Sequence, residues 1–201
     1  MLPIIIFNVA YMLAAVATAI AKGNKEFIFY IGVMVVLMVS VLFTHQRVKF
    51  SKTVLWGLSI WGLLHMAGGL VPVPDTWPIN GDKRVLYSLW FIPGYLKYDN
   101  IVHAYGFGVT TLLCWEALRI AIMGRMGTCD RAAVKPTWGL VVLAATSSMG
   151  FGALNEVVEF AATRLMDTNV GGYVNTGWDL VSNAVGATAV ALAIRCWPRP
   201  S

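Results

Sequence analysis

The chain has 201 residues, of which 58% are hydrophobic and only 12% charged, with a mean hydropathy of +0.68. A soluble domain carries about 25% charged residues, so this composition excludes a soluble enzyme, a disordered chain and a secreted disulfide scaffold. The net charge of +5 would suggest nucleic acid in a soluble protein; here the basic residues cluster between apolar runs, where topology explains them and no nucleic-acid partner is implied.

Six apolar runs, 3–21, 27–44, 53–72, 99–120, 137–160 and 178–197, approach or exceed the ~20 residues that a bilayer crossing needs. They predict an all-α polytopic membrane protein with six transmembrane helices, organised as a single membrane domain over 1–201. The first run ends in Ala19-Ile20-Ala21, which mimics a signal-peptidase site. No Lys or Arg precedes it, so it reads as a retained span. Cys114, Cys129 and Cys196 are too scattered for a disulfide framework or a metal knuckle.

The connector from Val73 to Tyr98 is long for a loop without a job. It holds Trp77, Tyr87, Trp90, Phe91 and Tyr95, punctuated by prolines. Aromatics with one polar end favour the headgroup level, so Arg84–Ile92 is expected to form a short interfacial helix. With six spans both termini share a side. Nine Lys and Arg fall on that side and six on the other, namely Lys22, Lys25, Lys83, Arg84, Lys97 and Arg164. This balance predicts cytoplasmic termini in the cell inner membrane.

Ionisable groups are costly inside a bilayer, so those within the spans are the informative residues. His65 lies in the third span, Asp99, His103 and Glu116 in the fourth, Glu156 and Glu159 in the fifth, and Asp179 with Asn183 in the sixth. All except Glu116 fall near the ends of the spans that meet the 73–98 side. Asp99 and His103 are spaced i,i+4, Glu156 and Glu159 i,i+3, and Asp179 and Asn183 i,i+4, so each pair shares a helix face. Converging His and carboxylate groups from several helices is how bundles build metal centres. Imidazole with carboxylate suits zinc first, with iron or manganese as alternatives, over a calcium cage.

Each residue alone has a simpler reading. Asp99 and Asp179 each open an apolar run, where Asp caps helices. A lone His65 is satisfied by one interior hydrogen bond, Glu156 and Glu159 can pair with Arg164, and Glu116 with Arg119 one turn on. The small residues Gly68, Gly69, Gly106, Gly108, Gly150, Gly152 and Gly186 allow close helix approach.

The elements Leu64-His65-Met66-Ala67-Gly68-Gly69, Tyr98-Asp99-Asn100-Ile101-Val102-His103, Glu156-Val157-Val158-Glu159 and Trp178-Asp179 resemble the YjdF-type inner-membrane proteins. More distantly, the Asp99/His103, Glu156/Glu159 and Asp179/Asn183/Gly186 spacings are similar to the VanZ-like family. The likeness covers about residues 60–190 and departs at Asn175-Thr176-Gly177, which stand in place of the acids that the family pattern has upstream of the W-D element. It implies the helical fold and marks the site residues, including Tyr98, without naming a substrate.

These residues lead to an expectation of a metal-dependent hydrolase or group transferase acting on a lipid or lipid-linked substrate. His65, Asp99, His103 and Asp179 are the expected ligands, with Glu156 as a further candidate ligand and Glu156 or Glu159 as general base. The 73–98 segment would wall the lipid route. A proton- or cation-coupled transporter is the first alternative, with Glu116, Thr110, Thr111, Ser147 and Ser148 as its only further polar path. A structural or assembly subunit is the second.

Overall fold

A computed structural model describes residues 1–169 and 171–196. The end of the sixth run at Trp197, and Arg199 of the charge count, lie outside the described residues. Among the described residues, six helices are long and apolar enough to cross a membrane. They are α1 (Leu2–Ala21), α2 (Lys25–Val48), α3 (Lys52–Leu70), α4 (Tyr98–Met126), α5 (Trp138–Leu165) and α6 (Tyr173–Cys196). The expected runs are all present, most of them longer than hydropathy alone indicates.

Capping sets several boundaries. The Asn24 side chain accepts the Phe27 N–H at the start of α2, Ser51 that of Val54 on α3, and Thr137 that of Leu140 on α5. Gly127, at φ 65°, ends α4 in the left-handed conformation that glycine adopts without penalty.

Helices α4, α5 and α6 pack mutually, α3 lies against α4, and α1 and α2 close the far side of α3. Large apolar residues such as Val35, Val36, Val39 and Phe43 of α2 are exposed, as a lipid-facing helix requires. Gly186 sets the α4–α6 distance, because a Cβ there would stand 1.8 Å from the Ala104 carbonyl oxygen. Gly150, by contrast, faces open space and packs against nothing. Between α4, α5 and α6, in the half away from the 73–98 connector, Cys114, Trp115, Val141, Ala144, Ala191 and Ile194 form a continuous apolar cluster.

The connector between α3 and α4 is ordered but mostly extended. The helical character expected of Arg84–Ile92 is confined to a 3-10 turn at Leu86–Ser88, followed by the antiparallel pair β1 (Trp90–Ile92) and β2 (Leu96–Lys97). The reason is local. Tyr95 N–H donates to the Ile92 carbonyl across Pro93-Gly94, with Gly94 at φ 80°, the proline-then-glycine turn that reverses a strand. Val73 and Leu86 N–H groups bond back to the Arg84 and Val71 carbonyls, and Arg84 pairs with Asp75. Trp77, Phe91 and Tyr95 remain exposed as expected of anchors, whereas Tyr87 turns inward.

Candidate metal centre

The site lies below the connector, where α3, α4, α5 and α6 converge. Asp99 is in the first turn of α4 and His103 one turn deeper. Asp179, expected to open a helix, is instead the seventh residue of α6 and fully buried. A cap cannot sit there. The helix starts at Tyr173 because Asn175, which reads as a loop residue, finds partners for its side chain inside the fold. Its Nδ2 donates to Asp179 Oδ2 at 2.5 Å and its Oδ1 accepts from Lys97 Nζ.

Two overlapping sets of residues present metal-competent atoms within 4.8 Å of one another, namely Asp99–His103–Asp179 and His103–Glu156–Glu159. His103 belongs to both. Its Nδ1 donates to Asn183 Oδ1 at 3.0 Å, which leaves Nε2 with its lone pair free for a ligand. Nε2 lies 3.6 Å from Asp99 Oδ1. Gly152 of α5 makes room for this arrangement, since a Cβ there would stand 2.6 Å from Asn183 Nδ2.

His65 is in neither set. Enclosure pushes the Tyr87 phenol well above its ordinary range, and its hydroxyl is hydrogen-bonded to His65 Nδ1. The bond ties the imidazole to the connector. Tyr98 also serves the frame, donating from its hydroxyl to the Leu64 carbonyl at 2.9 Å.

The carboxylates differ in how they are satisfied. Asp179 Oδ1 accepts from Asn100 Nδ2 at 3.4 Å, and Asn100 Oδ1 accepts the Lys97 N–H at 2.9 Å. Asp99 Oδ2 faces Lys97 Nζ at 3.4 Å. Glu159 Oε1 accepts from Asn155 Nδ2 at 2.8 Å. Glu156 is different. It is 9% exposed, and neither oxygen has a hydrogen-bond partner at full bonding distance among the described residues, with the Thr176 and Asn155 side chains facing it. Arg164, a candidate partner by sequence, is exposed at the end of α5.

Glu116, toward the other end of α4, takes no part. Its Oε2 accepts the Ser51 N–H at 2.8 Å, fastening α4 to the start of α3, while Arg119 lies over Trp115. Ser148 and Thr111 both donate to the Phe107 carbonyl.

Two cavities meet at Glu159. One, of about 360 Å³, lies under the connector and is lined by Tyr30, His65, Asn80, Lys97, Asp99 and Asn175 among others. The other, of about 400 Å³, opens between α5 and α6 and is lined by Glu156, Phe160, Thr163, Tyr173 and Thr176. Glu26 of α2 fastens the roof. It accepts from Lys83 Nζ at 3.0 Å and from the Asn169 N–H at 2.9 Å, joining the connector to the segment before α6.

Lys97, Asn100, Asn175 and Glu26 were not singled out by the sequence reading. Asn175, Asp179 and Asn183 form an i, i+4, i+8 stripe that a longer sixth helix would have revealed. Lys97 stands two residues before Asp99, and a lysine adjoining so many acids at one depth is the signal for it.

Residues 3–199 match the family described as predicted membrane protein, DUF2238. The chain belongs to this family. No curated protein and no solved structure matches it. Membership of DUF2238 thus agrees with the six spans and covers the whole site.

Proposed function

We propose that this DUF2238 protein binds one divalent transition metal, zinc first, through His103, Glu156 and Glu159, and uses it for hydrolysis or group transfer on a lipid-like substrate. The observation that carries the reading is Glu156, a largely buried carboxylate at the end of the α5–α6 cleft with no hydrogen bond at full bonding distance among the described residues, converging with His103 and Glu159. A buried charge left unpaired costs several kcal/mol. A bound cation removes that cost, and imidazole with two carboxylates is a donor set that zinc accepts.

The roles differ from those the sequence suggests. His65 forms part of the cavity wall, and Asp99 and Asp179 stand beside the ligands. A bound divalent metal lowers the pKa of its water. Asp99 opens on the cavity under the connector and is the carboxylate placed to accept a proton there. The cleft between α5 and α6, edged by exposed Phe160, Leu165 and Tyr173, suits an amphiphile whose apolar part stays among lipids while its head reaches the acids. The membrane is then the inner membrane, with cytoplasmic termini and the connector outside, in line with the Lys and Arg distribution.

Transport ranks lower for a physical reason. The apolar cluster around Trp115 and Val141 stops the polar residues from reaching the other end of the bundle. Elemental analysis of protein purified without added metal tests the reading. About one zinc, iron or manganese per chain is expected; a folded protein that is metal-free and takes up no zinc on titration would overturn it.

A further inference from the structure

The two ligand sets share His103, and with Nδ1 engaged by Asn183 a single nitrogen cannot serve both at once. We propose that Lys97 is a resident counter-ion that closes the Asp99–His103–Asp179 set and directs the metal to His103–Glu156–Glu159. This rests on the metal reading above and adds the residue that decides where the metal sits.

The argument starts from position. Lys97 ends β2 and immediately precedes α4, and its N–H is tied to Asn100 Oδ1. That fixes the root of the side chain beside the acids. Its ammonium is buried, with the side chain 8% exposed, 3.4 Å from Asp99 Oδ2 and bonded to Asn175 Oδ1. A lysine is seldom buried without a partner, and here the partners are an acid and an amide of the site itself.

The consequence for each set is different. On the Lys97 side, Asp99 has the ammonium, and both oxygens of Asp179 already accept from Asn100 and Asn175. A divalent ion placed there would have to displace those donors and lie beside a positive charge, where the low dielectric makes like charges repel strongly. Glu156 and Glu159 form no ion pair among the described residues, although Lys97 and Lys83 line the cavity that Glu159 shares with Asp99. Glu159 has one amide donor from its own helix, and Glu156 has no hydrogen bond at full bonding distance, with Thr176 and Asn155 facing it. The open half is the half without an ion-pair partner.

Zinc titration of four purified forms tests this, with folding checked by circular dichroism and gel filtration. Wild type should bind one zinc and Glu156→Gln should bind none, because the alternative set is closed. Glu156→Gln with Lys97→Met should regain zinc binding, at least tenfold more tightly than any residual binding of Glu156→Gln. Adding Asp179→Asn should abolish that binding again. Lys97→Gln, which keeps a polar end for Asn175, stands in should the methionine form not fold. Full zinc binding by Glu156→Gln alone would overturn the proposal, and so would a folded double variant that does not regain zinc. A wild type that binds no zinc defeats the metal reading itself, an outcome separate from both.

Discussion

His103 of α4 donates its Nδ1 hydrogen to Asn183 Oδ1 of α6 across 3.0 Å, in a place where Asn183 is 1% exposed. This bond selects the tautomer that leaves Nε2 free. Partners of this kind fix the direction and basicity of a ligating imidazole. Asn183→Ala should therefore lower zinc affinity by about 10–100-fold while the helices stay intact, measured by competition with a chromophoric chelator. Unchanged affinity would show that the histidine needs no such anchor.

His65 and His103 should separate cleanly. His103→Ala removes a donor common to both ligand sets, whereas His65 lies in neither. We expect His103→Ala to lose bound metal and His65→Ala to retain it, read by elemental analysis of the purified variants. The reverse result would move the centre toward α3.

The carboxylates Glu159 and Asp99 are expected to fail in different ways. Glu159→Gln should lose metal and activity together, as a ligand does. Asp99→Asn should keep the metal while any turnover or resistance phenotype falls by about 10²–10⁴-fold, the range for losing an acid–base group. Metal retained in Glu159→Gln would return the proton-accepting role to Glu159.

Gly186 and Gly150 give a matched test of packing. A methyl at Gly186 would meet the Ala104 carbonyl at 1.8 Å, whereas one at Gly150 meets nothing within 4 Å. Gly186→Ala should destabilise by about 1–3 kcal/mol or more. Gly150→Ala should be neutral or stabilise by about 0.5–1 kcal/mol, the ordinary gain in a helix interior. Thermal unfolding in one detergent decides both.

Orientation can be read with thiol chemistry. Thr76, in the connector, and the natural Cys129, between α4 and α5, are both exposed and lie at opposite ends of the bundle. A membrane-impermeant maleimide applied to intact cells should label Thr76→Cys and spare Cys129. Labelling of Cys129 with Thr76→Cys protected would invert the topology.

Much of this arrangement is legible in the sequence, and what is not has identifiable causes. The spans follow from hydropathy, and the pairs Asp99/His103 and Asp179/Asn183 follow from helical spacing, because both are properties of one segment at a time. Lys97 reads from sequence only as a loop charge, since a basic residue at the edge of a span ordinarily faces water. Its burial depends on Asn175 and Asp99 arriving from two elements. Asn175-Thr176-Gly177 carries turn-forming residues, and tertiary hydrogen bonds override that local preference. The 84–92 segment shows no alternation that would announce a strand, and the turn signal of Pro93-Gly94 just after it is outweighed by the attraction of aromatics to the interface. The motifs that resemble YjdF-type proteins lie on the helices that converge at the two clusters, and His65, in the first of them, is bonded to Tyr87 and lies outside both.

The apolar cluster around Trp115 has an electrical consequence. Any ion, proton or charged headgroup that reaches Glu156 must enter and leave by the same end of the bundle, because Cys114, Val141, Ala144 and Ala191 fill the way onward. Moving one charge fully across a membrane involves about 2.3 kcal/mol per 100 mV. A charge that returns to the side it came from performs no net work against that voltage, however deep it travels. Turnover at this site should therefore neither be driven by the membrane potential nor dissipate it, so vesicles holding the protein should keep an imposed potential as long with substrate as without.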